Sequence, residues 1–255
     1  MTQSFVTALQ AGEEIITGWS AIPNPLISEA LLAAGYDTVT LDMQHGFHDV
    51  ASVLAGVTSC KMLGKHAIVR IPVGDWGMAS RALDLGAMAV IAPMINTAED
   101  AKAFAGSMKY PPTGGRSWGP ARAMLMSDER DMSTYLADAN KNTLAIAMIE
   151  TREALDNLDE ILAVPGIDGI FVGPSDVSVT FSDGAAIKPF SDGTIDVIEE
   201  IAVRTLAAGK IPCIFAFLPD LLKRSRDMGY RLFALNTDGG VIARGATALL
   251  KEAKA

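Results

Sequence analysis

The chain has 255 residues, of which 49% are hydrophobic and 20% are charged, and its formal net charge is −9. This length is close to the ~250 residues of one (β/α)8 barrel, so we expect residues 1–255 to form a single domain. The acidic balance argues against nucleic acid or an anionic membrane surface as the main partner, because both attract basic proteins.

Nothing in the sequence resembles a membrane span or a secretion signal. No apolar run reaches the ~18 residues of a transmembrane helix. The first residues, MTQSFVTALQAGEE, lack a basic start followed by a long apolar stretch. The two cysteines, Cys60 and Cys213, lie inside apolar patterns, which is typical of buried thiols in a reducing compartment. We therefore expect a cytoplasmic protein with no membrane partner.

Eight short apolar runs alternate with helix-like segments along the chain. Continuous runs of this kind are typical of a parallel sheet that is buried on both faces. The predicted strands cover residues 15–19, 38–41, 67–70, 88–91, 144–149, 169–172, 211–215 and 232–235. Among the helices, the clearest apolar stripe covers residues 195–208 and stops before Gly209. Eight strand–helix units predict a (β/α)8 TIM barrel, and a doubly wound open sheet is disfavoured because no GxGxxG follows the first strand.

Two connections are unusually long for a compact domain. One runs from residue 110 to about residue 142 and contains PPTGGRSWGPARA, and the other runs from residue 173 to about residue 194 and contains GPSD. Connections of this length are more often functional than idle.

Ionisable residues follow four of the predicted strands. In a barrel the loops after the strands line the active-site mouth, so these side chains should meet at one rim: Asp42, His45, Arg70, Glu150 and Asp176. Each has an ordinary structural explanation, such as a salt bridge, a helix cap or a turn, but their convergence favours an active site. We interpret His48 and Asp49 instead as the solvated start of the next helix, and we expect His66, which precedes its strand, at the opposite end.

The residue types indicate metal-assisted enolate chemistry. Glu150 and Asp176 are hard oxygen ligands that suit Mg²⁺ or Mn²⁺. His45 could act as a base, with Asp42 accepting its ring N–H and fixing its tautomer. Arg70 offers a planar fork for a carboxylate or an enolate oxygen. None of the eight strand runs contains a lysine, so a Schiff-base aldolase is disfavoured.

With these residues in view, the chain resembles the HpcH/HpaI family of metal-dependent class II pyruvate aldolases, of the 4-hydroxy-2-oxoheptanedioate and 2-dehydro-3-deoxyglucarate aldolase type. The resemblance covers nearly the whole chain and is carried by GWSAIPNP, LDMQHG, IVRIP, GAMAVIAPMINTAEDA, PPTGGRSWGPARA, the PD of FAFLPDLL and, most specifically, AMIETREALDNLDEILAVPGIDGIFVGPSDVS. It implies a TIM barrel whose C-terminal helix is exchanged between subunits of a homo-oligomer, assembled as a hexamer of dimers.

The resemblance also implies roles for individual residues. Glu150 and Asp176 match the metal ligands, with Mg²⁺ or Mn²⁺ favoured, Co²⁺ or Zn²⁺ as further options, and no organic cofactor. Arg70 matches the group that binds the donor's keto or enolate oxygen. His45 and Asp42 match the dyad that removes a proton from the donor. The implied substrates are a small 2-oxo acid, pyruvate or hydroxypyruvate, and an aldehyde.

Other positions match the family in part. Asp84 matches an acid that reaches a neighbouring subunit's site, and Trp19, Ser175 and Phe215 match pocket-lining positions. Met148 departs from the pattern, since many relatives carry a glutamine there, and methionine cannot donate a hydrogen bond. The role of Asp238 in the divergent tail FALNTDGGVIARG stays open. The alternatives are another metal-enolate lyase, such as an oxaloacetate decarboxylase or an acyl-CoA lyase, and a non-catalytic barrel that binds a carboxylate.

Overall fold

The computed structural model describes residues 5–255 and shows a closed barrel of eight parallel strands in chain order. The strands are β1 Ile15–Ser20, β2 Thr38–Asp42, β3 Ala67–Arg70, β4 Ala89–Ala92, β5 Leu144–Met148, β6 Gly169–Val172, β7 Ile211–Ala216 and β8 Leu232–Thr237. All eight predicted strands are confirmed, with ends that shift by at most two residues. The open-sheet alternative is excluded, because β1 pairs with both β2 and β8.

Helices follow the strands on the outside of the barrel. They are α1 Phe5–Gln10, α2 Pro25–Ala33, α3 Val50–Met62, α4 Trp76–Asp84, α5 Ala98–Met108, α6 Ala121–Ser127, α7 Met132–Ala139, α8 Arg152–Asp156, α9 Leu158–Leu162, α10 Pro174–Phe181, α11 Asp192–Ala207, α12 Pro219–Asp227 and α13 Asp238–Ala253. The helix predicted over residues 195–208 is α11. It begins three residues earlier than predicted because the Ser191 side chain caps it, accepting from the Thr194 amide.

Strand side chains alternate between two apolar layers. In β5, Leu144, Ile146 and Met148 belong to the cluster inside the barrel, whereas Ala145 and Ala147 belong to the cluster between sheet and helices. Because both faces are covered, the strands read as continuous apolar runs instead of alternating ones. The same alternation decides which side chain at a strand end points toward the barrel mouth.

The two long connections contain helices. The first holds α6 and α7, and its Trp118 ring lies 5.4 Å from Tyr110 and 6.1 Å from Tyr135 between ring centroids. The second begins directly with α10, so the GPSD segment is the first turn of a helix. Both connections therefore have defined structure around the barrel mouth and its flank.

The two cysteines and His66 lie where the sequence predicted them. Cys60 and Cys213 are buried free thiols. His66 lies just before β3, and its carbonyl oxygen accepts a hydrogen bond from the Thr38 hydroxyl at 2.6 Å. It is therefore at the N-terminal end of the barrel, opposite the mouth, as predicted. Across residues 5–255, no helix has the length and apolar character that crossing a membrane requires.

Candidate active site

A pocket of about 240 Å³ opens at the C-terminal end of the barrel. Seven of the eight strands contribute to its wall, and the side chains from β1, β2, β3, β5, β6 and β7 are Trp19, Asp42, Arg70, Met148, Phe171 and Phe215, with Thr237 from β8. The turn after β2 adds His45, and the first turn of α10 adds Ser175 and Asp176. The structure therefore brings four of the sequence-predicted residues, Asp42, His45, Arg70 and Asp176, together at the rim where barrel enzymes hold their chemistry.

Asp42 and Arg70 form a buried ion pair at the base of this pocket. The parallel register pairs Asp42 of β2 with Arg70 of β3, which places the two side chains next to each other. Arg70 donates from Nε to Oδ1 at 2.8 Å and from Nη2 to Oδ2 at 2.7 Å. Such a bidentate pair fixes the guanidinium plane. Within the part of the chain that the structure describes, Nη1 of Arg70 has no hydrogen-bond partner, so this nitrogen is available to a ligand.

Trp19 adds a second constraint on this pair. Its indole Nε1 donates to Asp42 Oδ2 at 3.2 Å, and the Arg70 guanidinium carbon lies 4.8 Å from the centre of its ring. Burial alone would raise the pKa of Asp42, but the hydrogen bonds and positive charge of Arg70 outweigh burial and lower it. Asp42 is therefore a fixed anion that holds Arg70 in place.

The predicted hydrogen bond between the His45 ring and Asp42 is not formed. Asp42 accepts instead from backbone amides of the turn after β2, among them the His45 amide at 3.4 Å and the Gly46 amide at 3.0 Å. The physical reason is that the carboxylate oxygens are already committed to Arg70, Trp19 and this turn. Asp42 thus positions the backbone that carries His45, and the exposed His45 ring reaches the pocket without a hydrogen bond to any described side chain.

Glu150 and Asp176 form the acidic side of the site. Glu150 lies two residues after the end of β5, and Asp176 lies in the first turn of α10. A β-carbon added at Gly173 would lie 3.0 Å from Glu150 Oε2 and 3.2 Å from Asp176 Oδ2. The two carboxylates therefore face one small space, which the glycine leaves open.

This arrangement is electrostatically costly for Glu150. Only 3% of the residue is exposed, and burial, followed by the charge of Asp176, raises its pKa to about 7. The Met94 amide partly compensates by donating to Oε1 at 3.0 Å. Met94 has a φ of 55°, a left-handed conformation that methionine rarely adopts. The backbone is thus held in an unfavourable conformation at the point where it supports Glu150.

The pair fits a hard divalent cation. Within residues 5–255, no group of three or more His, Cys, Asp or Glu side chains is arranged to hold a metal. Two carboxylates that share one space are what a cation with remaining positions for water and substrate oxygens requires. A cation there would also relieve the repulsion that raises the pKa of Glu150.

A protein-family model described as HpcH/HpaI aldolase/citrate lyase matches residues 16–244. The chain belongs to this aldolase family. A hydroxypyruvate/pyruvate aldolase from Roseovarius nubinhibens is 34% identical over 246 residues, covering 96% of this chain and 94% of the relative. A 4-hydroxy-2-oxo-heptane-1,7-dioate aldolase from Salmonella arizonae is 34% identical over 249 residues, covering 98% and 94%.

A crystal structure from the same family shares the fold over its full length. The HpcH/HpaI aldolase/citrate lyase family protein from Burkholderia cenocepacia J2315 superimposes with a TM-score of 0.87 at 26% identity, covering 98% of both chains. The resemblance read from the motifs is confirmed, as are the TIM barrel and an enzyme of the aldolase type. Metal binding is expected for this family.

A buried polar network lies beside the pocket of this aldolase, and the sequence did not reveal it. Asp238 is 2% exposed and begins α13. Its Oδ2 accepts from the amides of Ala21 at 2.9 Å and Ile22 at 2.8 Å, and the Ser20 hydroxyl lies at 3.4 Å. Because Ala21 also lines the pocket, Asp238 holds the loop after β1 in place.

His48 continues this network, so the prediction that it is solvated was wrong. Only 7% of His48 is exposed, and its ring nitrogens lie 3.1 Å from Ser20 Oγ and 3.1 Å from Ser52 Oγ. Asp49 does begin α3, with a capping box to Ser52, as predicted. The histidine is buried because the loops after β1 and β2 close over it.

Asp84 does not line the pocket formed by its own chain. Asp84 ends α4, and Arg116 donates to its Oδ1 from Nη2 at 2.5 Å. The Arg116 guanidinium stacks 4.7 Å from the Tyr110 ring centre, in the first long connection. Within one chain, Asp84 therefore belongs to a cluster with Arg116 and Tyr110 on the side of the barrel. Its predicted catalytic role requires a second subunit.

Asp238→Ala is expected to lower the free energy of unfolding by about 2–4 kcal/mol, because two partly buried backbone amides lose a charged acceptor at about 1–2 kcal/mol each. Urea denaturation monitored by circular dichroism measures this change. The matched control is Asp196→Ala on the exposed face of α11, which should change stability by less than about 0.5 kcal/mol. Equal effects of the two substitutions would contradict our conclusion that Asp238 holds the loop after β1 in place.

Proposed function

We propose that this aldolase forms the enolate of a small 2-oxo acid, pyruvate or hydroxypyruvate, and joins it to an aldehyde, or runs the reverse cleavage. The observation that carries the proposal is that Arg70 and Asp176 line one pocket, while Glu150 Oε2 faces the same space beside Gly173 as Asp176 Oδ2. The relatives' names, hydroxypyruvate/pyruvate aldolase and 4-hydroxy-2-oxo-heptane-1,7-dioate aldolase, support the same donor class.

In this proposal Glu150 and Asp176 hold a divalent cation, Mg²⁺ or Mn²⁺. When bound, the cation would draw electron density from the donor's oxygens and acidify the adjacent carbon. The two carboxylates supply the two negative charges that neutralise it. Glu150 is buried, which limits competition from bulk water on its side, whereas the exposed Asp176 leaves the cation open to water and substrate oxygens.

The chain's own groups perform the proton and charge steps. His45 takes a proton from the donor methyl or hydroxymethyl carbon, and the electron pair of that C–H bond forms the enolate. Arg70 donates from Nη1 to the developing enolate oxygen, held in position by Asp42. The enolate carbon then bonds to the aldehyde carbon, the carbonyl electron pair moves to oxygen, and that oxygen receives the proton from His45.

The pocket does not favour the acyl-CoA lyase alternative. Its volume of about 240 Å³ is below the ~300 Å³ at which pockets for drug-sized ligands begin. Within the described part of the chain, Arg70 is the only lysine or arginine that lines the pocket, so nucleotide phosphates would find no basic groove. A small 2-oxo acid with a small aldehyde matches both observations.

We also infer that the site is completed in an oligomer. In α13 only Asp238 is buried, while Ile242 is 53%, Leu249 68% and Leu250 57% exposed. Apolar side chains in that number on one helix call for a partner surface. This pattern supports the predicted exchange of the C-terminal helix between subunits, and with it a role for Asp84 in a neighbouring site.

Asp176→Asn tests the proposed function. The variant keeps the side-chain shape but loses a charge, so kcat/KM for condensation of pyruvate with acetaldehyde should fall by more than about 10²-fold, since Lewis-acid catalysis is worth several kcal/mol. Asp183→Asn is the matched control, because Asp183 has 90% of its side chain exposed and a φ of 53° that asparagine tolerates. Full activity in a folded Asp176→Asn protein would overturn the proposal.

A further inference from the structure

We infer that the acceptor of this aldolase is an uncharged aldehyde with an aromatic or similarly flat apolar body. This inference rests on the proposed function and adds the class of the second substrate. Under this inference, semialdehydes that carry a carboxylate are not the preferred acceptors. Two features of the pocket carry it: a continuous row of aromatic rings and, among the described residues of this chain, the absence of a second positive charge.

The rings run from the base of the pocket to its rim. Trp19, which lies against Arg70, has its ring centre 5.6 Å from Phe171 and 5.2 Å from Phe215. Phe215 is followed by Phe217 at 4.8 Å, and Phe217 by Phe190 at 6.2 Å. We call these five residues the aromatic row. It begins at the guanidinium that would hold the donor and ends at Phe190, which is 47% exposed.

The outer part of the aromatic row is open to a ligand. Phe215 and Phe217 both line the pocket and are only half-buried, whereas Phe171 beneath them is fully buried. The interplanar angle is 79° for Trp19 and Phe215 and 59° for Phe215 and Phe217. Tilted and edge-on rings leave faces and edges against which another ring packs favourably. An acceptor placed beside the donor would lie against these two phenylalanines.

Charge separates the two acceptor classes. A carboxylate on the acceptor needs a cation, and Arg70 is the only permanent cation among the described residues that line the pocket. Two nitrogens of Arg70 are already committed to Asp42, and the third faces the donor in the proposed function. Asp42 already compensates the charge of Arg70, and in the proposed function Glu150 and Asp176 compensate the charge of the cation. Among the described residues of this chain, the far end of the acceptor therefore meets phenylalanine rings and no positive charge.

Met148 adds a further apolar side chain to the pocket. It is buried, with its Cε 3.5 Å from the position that a β-carbon at Gly173 would take. A thioether cannot donate a hydrogen bond to an acceptor oxygen, but it packs well against aromatic rings. Met148 thus adds apolar surface to the pocket and no hydrogen-bond donor for a carboxylate on the acceptor.

The test compares acceptors in the holoenzyme with pyruvate and Mn²⁺. We expect kcat/KM for benzaldehyde to exceed that for succinic semialdehyde by at least about tenfold. Phe217→Ala should lower kcat/KM for benzaldehyde by about five- to tenfold, while the value for acetaldehyde changes less than about threefold. The matched control is Phe181→Ala, which removes a half-buried ring at the end of α10 outside the pocket and should leave the benzaldehyde-to-acetaldehyde ratio unchanged.

A second variant guards against general damage to the pocket. Phe217→Arg supplies the missing cation, so succinic semialdehyde should gain relative to benzaldehyde. A parent enzyme that prefers succinic semialdehyde, or a benzaldehyde-to-acetaldehyde ratio that Phe217→Ala leaves unchanged, overturns the inference. Deuterium exchange into pyruvate separates the two levels: exchange without the aromatic preference refutes only the acceptor class, and loss of both refutes the proposed function as well.

Discussion

Arg70→Lys is expected to lower kcat for aldol condensation by about 10²–10³-fold, the loss that follows removal of one donor to a developing oxyanion. Lysine keeps the positive charge but cannot form two parallel bonds to Asp42 and present a third N–H in the same plane. The guanidinium is fixed by Asp42 at 2.7–2.8 Å and by the Trp19 ring at 4.8 Å. The substitution therefore removes the fixed orientation of the N–H donor and keeps the positive charge. KM for the donor should change less than kcat.

Steady-state kinetics with pyruvate and acetaldehyde measures this loss. Arg81→Lys on the exposed side of α4 makes the same chemical change away from the pocket, and we expect it to stay within about twofold of the parent. Thermal unfolding of both variants shows whether the buried Asp42 keeps a partner. An Arg70→Lys enzyme with parental kcat would mean that Arg70 does not act on the reacting oxygen.

Glu150→Gln is expected to stabilise the metal-free protein at pH 8 and to abolish its stabilisation by Mn²⁺. The pKa of Glu150 is raised from 4.5 to about 7 in the folded chain, first by burial and then by Asp176. A raised carboxyl pKa means that the folded state holds its proton longer than the unfolded state does. Stability is therefore full below about pH 4 and falls as the pH rises through 7, by about 3 kcal/mol in total.

Glutamine removes this loss because it does not ionise. We expect the metal-free variant to exceed the parent by about 2–3 kcal/mol at pH 8 and to match it near pH 4, in denaturant titrations at both values. With Mn²⁺ at 1,000 times its Kd the order reverses, since the bound cation then adds about 4.1 kcal/mol to the parent. Glu199→Gln, exposed on α11, is the control that should show neither effect. A metal response retained by Glu150→Gln would remove Glu150 from the ligand set.

The barrel could be predicted from sequence because its determinants are local. Each strand is a largely apolar run, and burial on both faces of the sheet leaves a continuous pattern that can be recognised without knowing which strands pair. Arg70, Glu150 and Asp176 could be predicted at the barrel mouth for a similar reason. All strands of a parallel barrel have their C-terminal ends on the same side, so residues that follow different strands lie at one rim. The helix α11 followed from its apolar stripe and from Gly209.

The contacts that failed prediction depend on residues far apart in the chain. Asp42 was assigned to the His45 ring because the two are three residues apart, yet the β2–β3 register gave its carboxylate to Arg70, 28 residues away. His48 looked solvated because Ser20 and Asp238 complete its surroundings only after the barrel closes β8 onto β1. A capping aspartate and a buried one look the same in sequence.

The most direct test of the central claim, enolate formation at this site, is proton NMR of pyruvate in D₂O with the holoenzyme and no aldehyde. The account predicts exchange of the methyl protons that is lost with a chelator, restored by Mn²⁺ or Mg²⁺, and lost again in His45→Ala. Phe47→Ala, whose ring is 78% exposed two residues further on, should exchange like the parent. No exchange of pyruvate or hydroxypyruvate protons by a folded, metal-loaded enzyme would contradict the account.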